Sequence, residues 1–195
     1  MRIVLASGSP RRREILRSLG WSFDVTVPDV DESVVPGESP RDMALRLARA
    51  KALSASMDTG GALTIGADTV VDVDGAALGK PEDRSDAMRM LVMLSGRTHM
   101  VHTGVAMARS GEVMTSGVET TGVTFGALTE AEMTAFVDSG DGLDKAGAYA
   151  IQGRGALMVE RIDGCYYNVV GLPAFRLNRM LRSLGEGCDQ VWPIE

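Results

Sequence analysis

Along the chain the hydrophobic positions switch between a period of two and a period near 3.6, and the switches divide it into elements. Residues 2–6 (RIVLA) are a short apolar run that predicts a strand. The run stops at Ser7-Gly8-Ser9-Pro10, after which Ile15, Leu16 and Leu19 fall on one helical face. Ser9 is the expected N-cap, Pro10 fits the first turn, and Gly20 ends the helix. Residues 22–27 (SFDVTV) alternate as a second strand, followed by the acidic, proline-bearing loop PDVDESVVPGE. Ser39 caps a helix that opens on Pro40 and runs to about Met57, with Ala44, Leu47 and Ala48 on one face.

Residues 62–73 (ALTIGADTVVDV) read as a buried strand closed by the turn Asp74-Gly75. Ser85 is the expected cap of a helix to Leu94, with Ala87, Met88, Leu91 and Leu94 spaced for a core. Residues 98–108 and 112–125 predict two long strands joined around Ser110-Gly111. Thr129-Glu130-Ala131-Glu132 is a capping box for a helix to about Val137. Residues 148–170 are expected as short strands with a turn at Asp163-Gly164, and Pro173 starts a last helix to about Leu184. Strands and helices mix throughout, so the expected class is α/β or α+β on a substantial sheet. Neither a repeat nor a low-complexity linker divides the sequence, and residues 1–195 are expected as a single domain.

Composition narrows the function classes. Apolar residues make up 45% and charged residues 24%, an ordinary globular balance. No apolar run approaches the roughly 20 residues of a membrane span, and the first apolar segment is too short for a signal peptide. The expectation is a cytoplasmic protein with no membrane partner. A net charge of −6 and a pI near 5.0 argue against a broad nucleic-acid surface, but not against a small anion in a local basic pocket. Cys165 and Cys188 have no partner motif and are expected as reduced thiols. Arginine outnumbers lysine 17 to 3, so each retained lysine (Lys51, Lys80, Lys145) is a candidate compact point charge.

Three arginines, Arg11 to Arg13, stand at the start of the first predicted helix. That end already carries a partial positive charge, so cations there are mildly unfavourable unless an anion fills the gap. Free N–H groups, Gly8, and the Ser7 and Ser9 hydroxyls suit a phosphate; a solvated arginine face is the alternative. GAALGKP, Gly75 to Pro81, is not a Walker loop, because it has three residues between its glycines and proline where Ser or Thr belongs. His99 and His102 lie three apart in a strand and so point to opposite faces, which disfavours a shared metal. Asp68 interrupts an apolar run. A buried carboxylate must be paired, ligate a metal or work as a base in a cleft. Asp31 and Glu32 add oxygen donors in a loop that could otherwise be merely hydrated; oxygen ligation suits Mg²⁺ or Mn²⁺ bridging to phosphates.

Taken together, LASGSPRRREIL, the Asp31-Glu32 pair, ESPRDMALRLARAKA, IGADTVV, LGKPEDRSDAMRMLVMLSGRTHMVHTGVA, DKAGAYAIQGRGA and NVVGLP resemble, in this order, the Maf family of nucleoside triphosphate pyrophosphatases over roughly residues 2–184. The resemblance implies an elongated mixed sheet flanked by helices, two lobes around a central cleft as in inosine-triphosphatase-like proteins, and a homodimer. It implies hydrolysis between the α and β phosphates with a divalent metal, Mg²⁺ or Mn²⁺. On this chain Asp68 is then the expected proton acceptor, and Glu32 an expected metal-binding or catalytic carboxylate. Lys51, Lys80, Ser7, Arg11 and Arg12 are the expected phosphate contacts. Arg11, Thr69 and Gln152 follow the dTTP- and UTP-preferring branch rather than the branch associated with methylated GTP, and Gln152 suits the imide edge of uracil or thymine. A nucleotide-binding regulator of cell division is the alternative function. Gly142 stands where many relatives have proline, and the tail with Trp192 matches no motif.

Overall fold

A computed structural model of the chain describes residues 1–187. Cys188 and Trp192 lie outside them. Seven strands form one mixed sheet: β1 (Ile3–Ala6), β2 (Asp24–Thr26), β3 (Leu63–Val73), β4 (Ala76–Leu78), β5 (Thr98–Arg109), β6 (Glu112–Phe125) and β7 (Val159–Asp163). The order is β2-β1-β3-β5-β6-β7, with β4 paired to β3. β1 runs parallel to both β2 and β3, and every other pairing is antiparallel. The helices are α1 (Pro10–Ser18), α2 (Pro40–Ser56), α3 (Arg84–Leu94), α4 (Glu130–Ser139), α5 (Tyr166–Val170) and α6 (Ala174–Ser183). The expected mixed sheet flanked by helices is present.

The two sheet faces are built differently. On one face, Ile65, Ala67 and Val71 of β3 and Val101, Val105 and Met107 of β5 join the large apolar core with residues of α1, α3, α4 and α6. On the other, α2 lies directly on the strands through small residues. Ala48 and Ala52 pack on Ala106 and Ala108, all fully buried. Gly66 and Gly104 make the approach possible. A Cβ on Gly66 would stand 2.4 Å from the Ala48 carbonyl oxygen, and one on Gly104 2.1 Å from that of Ala44. Close contact of helix and sheet fixes the height of every longer side chain on the inner face of α2.

Local signals behave largely as read. Gly20, at φ +74°, closes α1 with Trp21 N–H on the Leu16 carbonyl and Gly20 N–H on that of Arg17, a Schellman arrangement. Ser39 accepts from Asp42 N–H, and Thr129 with Glu132 forms the reciprocal capping box. Two expectations are corrected, for the cap of α3 and for residues 148–170, and that for Ser9 holds in position only. Asp83, not Ser85, caps α3, which places Ser85 inside the first turn. Ser9 stands at the N-cap position of α1 but its side chain makes no cap bond. Residues 148–170 contain one strand, β7, between 3₁₀ turns at Ala146–Ala148 and Gly153–Leu157 and the short α5. Here tertiary contacts override β-propensity. Asn168, in the middle of YYNVV, is fully buried and donates to the Val101 carbonyl and Thr121 Oγ1, which an extended segment would not place together.

Candidate active site

The pairing of β3 leaves a gap. On one edge β3 is paired with β5 from Thr64 to Asp72. On the other, β1 pairs it only as far as Gly66, and β4 takes over at Val71. Residues 67–70 therefore have an open edge just beyond the carboxyl end of β1, the place where open α/β sheets receive ligands. A cleft of about 950 Å³ occupies this gap. It is bounded by Ser7–Arg12, by Lys51 on α2, by Gly79-Lys80 after β4 and by residues 144–151.

Asp68 and Gly66 share the α2 face of β3 by strand alternation, and α2 presents Lys51 there. Lys51 Nζ stands 2.6 Å from Asp68 Oδ1 and 2.6 Å from Glu32 Oε1. The Lys51 and Asp68 side chains are 12% and 14% exposed, whereas Glu32 is 59% exposed and reaches in from the loop. The charge that interrupts the apolar run is thus paired, and it also faces the cleft. Lysine engages one carboxylate oxygen, Oδ1, and among the described residues no hydrogen bond engages the other, Oδ2.

The opposite side of the cleft is a donor array. Arg12 is almost fully buried at the start of α1. Its Nε donates to the Gly171 carbonyl at 2.8 Å, one terminal nitrogen to Ser7 Oγ at 3.1 Å, and the other to Thr69 Oγ1 at 3.0 Å. Burial pushes its pKa down, while the Asp68 charge opposes the shift. Three of five N–H bonds are spent on the protein, so two remain for a ligand. Ser7 Oγ also accepts from Ser9 N–H at 3.2 Å. Both of its lone pairs are therefore occupied, and the hydroxyl has only its O–H to offer. Next to these, the first turn of α1 carries no side-chain cap. An acceptor-only, anionic ligand matches this set.

Residues 144–151 close the far side. Gly147 N–H donates to the Gly79 carbonyl at 3.0 Å, which ties this strap to the loop holding the exposed Lys80. Lys145 lines the cleft beside Asp144, with which it is ion-paired. Arg11 is half-buried; burial lowers its pKa, and Asp144 and Glu14 counter that. Arg11, Arg12, Lys51, Lys80 and Lys145 thus face Glu32, Asp68 and Asp144, a local cationic excess inside an acidic protein. Ser7, Thr69 and the other expected site residues line this one cleft, with two exceptions, Gln152 and Asp31; Asp31 Oδ1 instead accepts from Ser33 N–H within the loop. Gln152 is exposed at the end of the strap, one residue beyond Ile151, which does line it. Lys145, Asp144 and Tyr149 were not singled out for a defined role by sequence, and Gly171, whose carbonyl holds Arg12, carries no local signal of one.

A divalent cation can be tested against these donors. Glu32 Oε1 and Asp68 Oδ1 both meet the Lys51 ammonium, so the point between them is filled by lysine, and a divalent cation held by these two carboxylates would have to sit beside it. Among the described residues no group of three or more His, Cys, Asp or Glu is gathered to hold an ion. The two carboxylates fit Mg²⁺ or Mn²⁺ when substrate oxygens and water complete the shell. His99 and His102 take no part: they point to opposite faces, as their spacing requires, toward Tyr149 and toward Asp72.

The fold and cleft define a class, a mixed-sheet α/β protein with a cation-rich cleft beside the carboxyl end of β1. The sequence model of the Maf-like protein family matches residues 2–184, and the chain belongs to that family. A protein named dTTP/UTP pyrophosphatase from Symbiobacterium thermophilum is 49% identical over 183 residues, 94% of each chain. One of the same name from Geobacter metallireducens is 51% identical over 187 residues, 94% of this chain and 96% of that one. Among solved structures, a HAM1 protein from Coxiella burnetii matches with a TM-score of 0.46 and 20% identity, covering 64% of this chain and 73% of that one.

Proposed function

We propose that this chain hydrolyses dTTP and UTP, with base-modified relatives, between the α and β phosphates to give the monophosphate and pyrophosphate. Family membership and the names of the two relatives support the reaction and the bases. The observation that carries the assignment of residues is the Glu32–Lys51–Asp68 contact facing the Ser7–Arg12 donor array across one cleft.

In this reading the triphosphate lies along the N-terminus of α1. Ser7 O–H, the remaining Arg12 N–H groups, Arg11 and Lys80 hold its oxygens. Asp68 Oδ2 accepts a proton from a water as that water's oxygen bonds to phosphorus and the anhydride oxygen departs with pyrophosphate. Lys51 orients Asp68 through Oδ1 and balances its charge. Glu32 and Asp68 are the residues that would hold a divalent cation, which supplies charge neutralisation of the phosphate oxygens. Thr69 and Gln152 are the proposed determinants of base choice, Gln152 from the end of the strap. The resemblance further suggests a cytoplasmic protein and a homodimer; sedimentation of the purified protein would test the dimer.

The deciding experiment is pyrophosphate release from a panel of nucleoside triphosphates with Mg²⁺, Mn²⁺ or chelator, for wild type and Asp68→Asn. Release from dTTP and UTP is expected, falling by about 10²–10⁴-fold in the variant with nucleotide binding retained. Unchanged turnover in Asp68→Asn removes Asp68 as the base. Release only from methylated GTP moves the chain to the other branch. Tight binding without any release favours the regulator.

A further inference from the structure

We infer that Thr103 is a positioning residue for Arg12, acting through the Thr69 hydroxyl; the inference rests on the reading of the cleft as a triphosphate site. Thr69 and Thr103 are direct partners across β3 and β5. Their hydroxyl oxygens are 3.0 Å apart, and geometry alone leaves the donor open. The next bond decides it. Thr103 Oγ1 is 2.9 Å from the Asn168 carbonyl, which can only accept, so the single Thr103 hydrogen is spent there. Thr69 must therefore donate to Thr103. Arg12, which has only donors, gives the remaining bond to Thr69 Oγ1 at 3.0 Å. The chain of bonds runs one way, from the Arg12 guanidinium through Thr69 and Thr103 to the backbone of α5.

Two consequences follow. Thr69 has its hydrogen committed inside the protein, so it holds Arg12 and keeps at most one lone pair for a ligand. And Arg12 is gripped twice by the same C-terminal segment, through this relay and through its direct bond to the Gly171 carbonyl. Thr103 itself is fully buried and does not line the cleft, so any effect it has on ligands must pass through its neighbours. A fixed guanidinium loses less freedom on binding an anion than a mobile one.

Thr103→Val tests this cleanly. It removes the hydroxyl at nearly constant volume. It does not orphan the Asn168 carbonyl, which also accepts Gly171 N–H at 3.0 Å. Inorganic tripolyphosphate, titrated calorimetrically, reports on the phosphate contacts, Arg12 among them, without a contribution from the base. Thr103→Val is expected to weaken it about tenfold, and to raise KM for UTP and dTTP by the same factor with their ratio unchanged within about twofold. Thr103→Ser, which keeps the hydroxyl, should stay within about twofold of wild type. In an Arg12→Lys background the valine substitution should cost less than about twofold, because the relay has lost its client. Unchanged tripolyphosphate affinity in Thr103→Val, an equal loss with and without Arg12, or a shift of the UTP-to-dTTP ratio would each overturn the inference. Circular dichroism checks folding; should the valine variant not fold, Thr103→Cys takes its place, with a weak acceptor of similar size. Wild-type protein that binds tripolyphosphate but turns over neither nucleotide would sink the proposed reaction and still allow the titrations to decide on Thr103.

Discussion

Lowering the pH should expose His99 as a buried weak point. Its ring is 2% exposed and stacks edge-on between Phe125 and Tyr149, at centroid distances of 5.2 and 5.4 Å. Nε2 meets the Tyr149 hydroxyl at 2.7 Å, while Nδ1 is buried with no hydrogen-bond partner among the described residues. A proton on both nitrogens would leave a buried N–H unpaired and a charge among aromatic rings. Burial accordingly lowers the His99 pKa from 6.5 to about 4. The sign is that of a depressed folded-state pKa. Above pH 6.5 both states are neutral and the full stability is present. As pH falls from 6.5 to about 4 the unfolded chain binds a proton that the native state refuses, and stability drains. At ~1.4 kcal/mol per pH unit the loss totals about 3 kcal/mol, a large part of the ~5–15 kcal/mol a domain of this size holds. The assay is urea unfolding of wild type and His99→Phe at a series of pH values between 7.5 and 4. The phenylalanine keeps the ring packing, and any fixed cost of stranding the Tyr149 hydroxyl is the same at every pH. Subtraction also removes carboxylates such as Glu38, Asp86 and Glu132, whose hydrogen bonds hold them below their usual range in both proteins. The difference between the two stabilities should be flat above pH 7 and change by about 3 kcal/mol toward pH 4. Parallel curves would refute the argument, since they would mean that His99 accepts its proton in the native state.

Other perturbations test the frame around the cleft. Gly66→Ala or Gly104→Ala should destabilise the protein by about 1–3 kcal/mol in urea. Each should also cut turnover beyond what stability explains, because the new Cβ meets the backbone of α2 and lifts Lys51 from Asp68. Full turnover in a folded Gly66→Ala would show that the helix height does not matter. A chelator is expected to abolish pyrophosphate release while leaving the melting temperature within about 2 °C, since among the described residues no cluster of three ligating groups ties a metal to the fold.

How much of this was legible in the sequence differs from element to element. Caps are local chemistry, and Ser39, Thr129 and Gly20 announced their helices. Asp83 and Ser85 are both capping residue types, and only the backbone decides between them. The long strands β5 and β6 showed through their length and the glycine turn between them. YYNVV misled because aromatic and β-branched residues favour strands, whereas its fate rests on a buried asparagine gripping β5 and β6. In the site, Asp68 and Lys51 stood out as anomalies, a charge in an apolar run and a lysine in an arginine-rich chain. Thr103 had no such mark. A threonine in a strand is commonplace, and its meaning lies in a register between strands 34 residues apart. The gap between β1 and β4 on the edge of β3 is likewise a property of pairing, which no single segment encodes.

That gap explains why positive charge gathers where a helix already carries its own. Had β1 and β4 met along β3, residues 67–70 would be an ordinary ladder and α1 would abut closed sheet. Because they do not meet, the amino end of α1 and the open edge of β3 face one another across solvent. Arg12 is bent inward to fill part of the space, and every acceptor it uses, Ser7, Thr69 and Gly171, is neutral. Its charge is therefore held but not cancelled, and the same is true of the helix end beside it. Across the cleft, Lys51 neutralises only part of Glu32 and Asp68, two carboxylates sharing one ammonium. The site thus keeps opposite residual charges on its two walls, and the largely buried members, Arg12, Lys51 and Asp68, act more strongly than charges in open water. In the proposed reading a triphosphate answers the first wall, and the second is where a divalent cation with water would be held. An uncharged ligand would leave both uncompensated, so on that reading the geometry that suits a polyphosphate also selects against a bare nucleoside.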